Sequence, residues 1–282
     1  MANAVFVSKI IPAYNDLLEF CYHFPRMYLG KARDTVGDWI LYYESRRDGG
    51  RQVYFATARV ARIEPDPRLS DHYYAIVEDY LEFPSPVPFR EGDTFFESAL
   101  RRPDGGVNKG LFGRSIHHIP DHEYQVIVTT GMGNAAVVAN ADEPETDPDR
   151  PLIERLTQRP YRDRAFAEVI RSTYQSTCAL TGLRLVNGGG RCEIEAAHIR
   201  AVEEQGPDSP RNGIALSRTL HWMFDRHIIA LEDDGRILLA KKGIPQQLTG
   251  MLNPDGYARF PDQVHLRPHP QFLKFHREQF RG

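Results

Sequence analysis

Along the first half of the chain, apolar and polar residues alternate in short runs, the two-residue period of half-buried strands. Asp38–Glu44 (DWILYYE) and Gln52–Glu64 (QVYFATARVARIE) are rich in β-branched and aromatic residues, and Arg46–Gly50 supplies a turn between them. Ala75–Phe83 and Asp93–Ala99 are shorter strand candidates. The pattern predicts weak helices near Ala13–Tyr22 and over Asp121–Thr129, the second with Asp121 as its N-cap. Short strands at turn-separated intervals, closed by a helix or two, predict a small curled sheet or barrel.

The second half has a different period. Phe166, Val169, Ile170 and Tyr174 recur at helical spacing, which predicts a helix over Asp163–Tyr174. Arg191–Ile199 reads as a strand and Leu216–Phe224 as a helix. Ile228–Leu231 and Arg236–Ala240 read as a hairpin over Asp233-Asp234-Gly235. The expected fold class is therefore α+β, with a β-rich front and a β-β-α order behind it.

Composition sharpens the division. The stretch 139–151 (ANADEPETDPDRP) holds five acids and three prolines and no large apolar residue, so a linker is expected there. Residues 1–138 and 152–282 are then the two expected domains. The net charge is -3, but residues 1–150 carry 16 Lys and Arg against 23 Asp and Glu, whereas residues 151–282 carry 19 against 15. The basic residues are overwhelmingly arginine, suited to bidentate contacts with phosphates and bases. Three scattered cysteines without a CxxC pair exclude a disulfide scaffold and a four-cysteine zinc site. The start lacks a signal-peptide pattern, and no apolar stretch approaches the roughly 18 residues that span a bilayer. A cytoplasmic protein is expected.

The chemistry concentrates in EIEAAHIRAVEEQGPDSPRNGIALSRTLHWMFDRHIIAL. His198 ends a strand, Asn212 follows an irregular loop, and His221 lies on a helix with Asp225 one turn beyond, so that both can hold one cation. One-metal phosphodiester hydrolysis needs a neutral imidazole to deprotonate water and a cation to stabilise the phosphorane and the leaving oxygen. His198 fits the base, His221 with Asp225 the metal clamp, and Asn212 a brace that ties the loop and keeps the strand in register. His117, His118, His227, His265 and His269 are expected in loops or on the surface, and Cys178 and Thr181 in turn and packing roles.

The run CALTG…EIEAAHI…NGIALS..LH..FD resembles the HNH (ββα-metal) endonucleases of bacterial restriction enzymes over about Cys178–Leu231, and PQFLKFHREQF (270–280) resembles their C-terminal helix. The resemblance implies a ββα-metal domain cutting double-stranded DNA with Mg²⁺ or Mn²⁺, Co²⁺ or Ni²⁺ also being possible. It implies His198 as general base, Asn212 as structural residue and His221 as metal ligand, Asp225 standing where a second ligand often sits. Many such enzymes carry Asp or His immediately before the base, where this chain has Ala197; Glu195, on the same strand face as Ala197, is the candidate substitute.

The front half, with CYHFPRMYL, GDWILYYE and YFATARVARIEPD, is similar in texture to PUA-like modules, the superfamily of SRA and EVE domains. Fused to an HNH domain, such modules imply a reader of modified cytosine, 5-methylcytosine or 5-hydroxymethylcytosine among them. A flipped base needs aromatic faces and a few edge acceptors; Tyr22, Phe24, Asp38 and Trp39 are the candidates. The whole then implies a modification-dependent (type IV-like) restriction endonuclease acting in phage defence, as a homodimer because each HNH domain cuts one strand. An HNH nuclease of unmodified DNA and a non-catalytic binder with a decayed nuclease site are the alternatives.

Overall fold

The computed structural model describes residues 2–8, 17–46, 49–133, 152–241 and 243–282. The chain divides into two compact units, Met1–Ala165 and Phe166–Gly282. The acidic stretch 139–151 lies outside the described residues. The division falls later than the expected domain start at 152 because Leu156, Tyr161 and Ala165 are buried in a core cluster of the first unit.

The first unit contains, in order, β1 (Ala4–Ser8), β2 (Cys21–Pro25), α1 (Leu29–Asp34), β3 (Trp39–Glu44), β4 (Val53–Pro65), β5 (His72–Pro88), β6 (Arg90–Glu91), β7 (Thr94–Phe95), α2 (Lys109–Phe112), β8 (Ile116–His118), α3 (Asp121–Met132) and α4 (Leu152–Thr157). Six strands form a curled half-barrel in the order β2-β5-β4-β3-β1-β8, parallel only between β1 and β3. Three register shifts between β4 and β5 supply the curl, since an extra residue on one strand bends the ladder. Strand alternation sorts the side chains into two cores: Val5, Val7, Trp39, Leu41 and Tyr43 on one face, Ala4, Phe6, Ile40 and Tyr42 on the other. α3 covers the first face with Tyr124, Ile127, Val128 and Met132.

Several expectations for this unit need correction. Residues 13–16 of the predicted helix Ala13–Tyr22 lie outside the described residues, but Cys21 and Tyr22 belong to a strand paired with β5. Tyr22 and Phe24 are buried while Cys21 and His23 are half-buried, a two-residue period that outweighs weak helical propensity. Asp121 is the first residue of α3, not its cap: Pro120 holds the N-cap position, and the Asp121 carboxylate accepts from Asn3 Nδ2 (2.9 Å) and Gln125 Nε2 (2.7 Å). Of Asp93–Ala99 only Thr94–Phe95 is strand, because the chain then turns to bury Glu97. His117 is not a surface group. Its Nε2 lies 2.7 Å from Glu97 Oε2, and the Tyr54 hydroxyl donates to the other oxygen of that carboxylate, all three side chains being buried.

The second unit begins within α5 (Arg159–Thr173) and continues through β9 (Glu195–His198), β10 (Gly213–Leu216), α6 (Arg218–Asp225), β11 (Ile229–Leu231), β12 (Ile237–Leu239), α7 (Gln246–Thr249) and α8 (Pro270–Arg277). Gly213–Leu216 is a strand where the sequence pattern placed only the start of a helix at Leu216, and it pairs antiparallel with β9. α6 buries Leu220, Met223 and Phe224 and turns the intervening residues outward. α8 buries Phe272, Leu273 and His276, the His276 ring stacking on Phe224 at 3.8 Å. Burial lowers the His276 imidazole to about 4, although its Nε2 donates to the Phe224 carbonyl at 2.9 Å. Among the described residues no helix is long and apolar enough to cross a membrane.

Candidate active site

The second unit's hairpin fixes the first candidate. His198 is the last residue of β9 and faces Gly213 of β10. The Gly213 site is closed to any side chain: an added Cβ would run into Ile170 and come within 2.8 Å of Phe166 Cζ. That close approach lets the Phe166 ring lie flat on the His198 imidazole, with centroids 3.8 Å apart and planes inclined by 14°. The ring's Nε2 is 2.9 Å from Asp208 Oδ1, and the Asp208 side chain is fully buried. One imidazole nitrogen is thus fixed by a carboxylate and one ring face by an aromatic, leaving Nδ1 as the nitrogen for other work.

Asn212, wholly buried, holds the loop between β9 and β10 together. Its Oδ1 accepts from the Arg200 amide (2.9 Å), and its Nδ2 donates to the carbonyls of Arg200 and Pro207 (3.0 Å each). Its own carbonyl accepts from Ile199 N at 2.9 Å, so the residue after His198 is tied by backbone as well.

α6 follows β10 directly, which carries its outward face beside β9. His221 Nδ1 lies 2.9 Å from Glu195 Oε2, and its Nε2 lies 3.4 Å from Asp225 Oδ2. Glu195 also accepts from Arg218 Nε at 2.9 Å. Glu195, His221 and Asp225 therefore come together, with the imidazole between two carboxylates. No hydrogen bond or ion pair among the described residues joins them to His198. Ala197 is fully buried and brings no ligating atom to the group.

Among the described residues no three His, Cys, Asp or Glu side chains form a ready-made metal cage. The donor set nonetheless suits a hard or borderline divalent cation. The 3.4 Å between His221 Nε2 and Asp225 Oδ2 is compatible with two ligands of one ion bound at about 2.0–2.2 Å each. Glu195 sits on the other nitrogen, where a carboxylate orients a ligating histidine.

A family model described as HNH endonuclease matches residues 178–232. That segment is an HNH endonuclease domain. Its β9, β10 and α6 are the two strands and the helix of the fold, and His198, Asn212 and His221 lie on its strand end, loop and helix respectively. No curated protein matches the chain significantly. Among solved structures, one described as the modification-dependent TagI restriction endonuclease is similar at 13% identity and a TM-score of 0.34, over 99% of this chain and 81% of that one. The N-terminal domain of Staphylothermus marinus McrB is similar at 11% identity and a TM-score of 0.32, over 44% and 92%. The type IV phosphorothioation-dependent restriction endonuclease ScoMcrA is similar at 12% identity and a TM-score of 0.21, over 78% and 48%.

The four candidate base-pocket residues in front of the HNH domain are not gathered in one place. Tyr22 and Phe24 share one core, their rings 6.4 Å apart, and the Tyr22 hydroxyl donates to the carbonyls of Val7 and Ser115. Trp39 is buried in the core on the opposite sheet face. Asp38 is half-buried and accepts from the Ala2 amide at 2.6 Å. In the HNH domain, sequence reasoning missed Asp208, whose setting in GPDSP reads as a polar turn; only burial separates it from one. Cys178 is buried as expected, its sulfur accepting weakly from Ser217 N.

Proposed function

We propose that the chain is a divalent-metal-dependent endonuclease of double-stranded DNA whose first unit selects modified cytosine and whose HNH domain cuts nearby. The observation that carries the catalytic part is the His198 imidazole, clamped between buried Asp208 and Phe166 on a hairpin beside the helix that presents His221 and Asp225. In this reading Asp208 accepts a hydrogen bond from Nε2–H, so Nδ1 keeps its lone pair. Nδ1 removes a proton from water as the water oxygen bonds to phosphorus and the bond from phosphorus to the 3′-oxygen breaks. His221 Nε2 and Asp225 would hold the cation, which would supply stabilisation of the negative charge that develops in the reaction. Glu195, by accepting from His221 Nδ1–H, keeps that ring's Nε2 free to ligate. Asn212 holds the loop so that His198 stays at the strand end.

Selection by the first unit follows from economy of parts: the small HNH domain has few side chains to spare for reading a sequence, and the half-barrel is a separate unit with two cores of its own. Each HNH domain has one site for one strand, so a double-strand break calls for two copies, as in a homodimer.

The test is cleavage of three matched DNAs (unmodified, 5-methylcytosine and 5-hydroxymethylcytosine) with Mg²⁺ or Mn²⁺, wild type beside His198→Ala. Cutting confined to a modified DNA and abolished by the substitution is expected. Equal cutting of all three would remove modified cytosine from the reading. Binding without cutting across the metals would replace it with a decayed nuclease, for which buried Ala197 is the specific motive.

A further inference from the structure

The outward face of α6 carries more than the two residues assigned to metal. Trp222 is 52% exposed, on an eight-residue helix that had three buried positions to offer. About half of this large apolar side chain is open to solvent, next to the two residues assigned to metal. The ring is not loose. The Arg226 guanidinium lies over it at 4.3 Å from the centroid, and Arg226 Nη1 also reaches the Trp222 carbonyl. Arg218, one turn before Trp222, keeps 72% of its side chain exposed although Glu195 holds its Nε.

Arg218, Trp222 and Arg226 recur every fourth residue, forming a cation–aromatic–cation ridge that rises about 12 Å along the helix. His221 and Asp225, also four apart, form the neighbouring ridge. A partner that meets the first ridge therefore also meets the residues assigned to the cation. The required partner is polyanionic at both ends of the ridge and offers a flat or apolar surface between. A nucleic-acid strand does this, with phosphates on either side of a base or sugar.

We propose that this ridge grips the DNA duplex at the cut site, with Trp222 packed against a base or sugar next to the phosphate that is broken and with Arg218 and Arg226 on the flanking phosphates. The proposal rests on the reading of the HNH domain as a DNA endonuclease and adds to it the side chains that seat the strand. The ring, pre-set by Arg226, acts as a wedge against the groove wall or a base step.

The chain has two tryptophans, and Trp39 is 3% exposed, so emission that iodide can quench reports Trp222. In EDTA, which prevents cutting, the protein is titrated with a duplex carrying 5-hydroxymethylcytosine and with its unmodified counterpart, and binding is followed separately by the anisotropy of a labelled strand. Saturating duplex is expected to remove most of the iodide sensitivity. Trp222→Ala should weaken duplex binding about tenfold, and Trp222→Phe should recover most of the loss. Unchanged iodide access in a saturated complex, or wild-type binding by Trp222→Ala, would overturn the ridge and leave the nuclease reading standing. Failure of either duplex to bind, together with failure to cut, would overturn both.

Discussion

Asp208→Asn changes one atom and tests the arrangement around His198. The carboxylate is fully buried and 2.9 Å from Nε2, while the imidazole is 16% exposed and stacked on Phe166. A hydrogen bond to a charged group in such a place is worth about 1.5–3 kcal/mol, and 1.36 kcal/mol is a factor of ten in rate. If the bond serves the reaction, kcat falls roughly ten- to hundredfold. The chemistry adds a reason: an Asn amide turned with its NH₂ toward Nε2 takes that lone pair and moves the ring proton to Nδ1, the nitrogen assigned to water. His198→Ala sets the floor, since a general base contributes about 10²–10⁴, and Asp208→Asn should lie between it and wild type. The assay is single-turnover nicking of supercoiled DNA at saturating metal, with duplex binding measured independently. A variant within twofold of wild type would refute the reasoning. So would one whose binding falls as far as its turnover, because the loop as a whole would then be at fault.

Three other outcomes can be checked. Asp225→Ala should abolish divalent-metal binding by calorimetry, whereas Glu195→Gln, altering only the group that orients His221, should weaken it about 10–100-fold; equal losses would make Glu195 a ligand. Asn212→Ala removes three loop hydrogen bonds and strands buried groups of Arg200 and Pro207, so denaturant unfolding should show a loss of about 2–4 kcal/mol together with lost activity. The neutral, buried His276 at about 4 binds fewer protons than the unfolded chain, where the imidazole titrates near 6.5. Its contribution is complete above pH 6.5 and is lost as pH falls toward 4, by about 3 kcal/mol. His276→Phe should flatten that part of the stability profile, and an unchanged slope would contradict it.

The meeting of His221 with Asp225 and the bracing of the loop by Asn212 were legible because both follow from local geometry. An imidazole and a carboxylate four apart share a helix face wherever that helix packs, and an Asn amide bridges a loop whose ends it can reach. Asp208 was not legible, since its partner lies ten residues away across an irregular loop and no periodicity connects them. In the half-barrel, the two-residue period of a strand separates Trp39 and Tyr43 from Tyr42. It could not say that β2 reaches the sheet through β5, which puts Tyr22 and Phe24 on the face away from Trp39. Face assignment within a strand is local; matching faces between strands needs the pairing. His117 was misjudged for a related reason: its partners, Glu97 and through it Tyr54, come from distant segments.

The Asn212 side chain bonds to both Arg200 and Pro207, and so works as a clasp on the short loop between them. A clasped loop separates length from position. Extra residues near Glu203–Gln205 would swell outward while the two ends stay pinned, and doubling a loop's length costs only about 0.6 kcal/mol in closure entropy. The seam offers an engineer a graft point a few residues from His198, where a foreign peptide or sensor could be inserted without moving that imidazole. It also offers natural variation a place to lengthen the chain beside β9 at small thermodynamic cost.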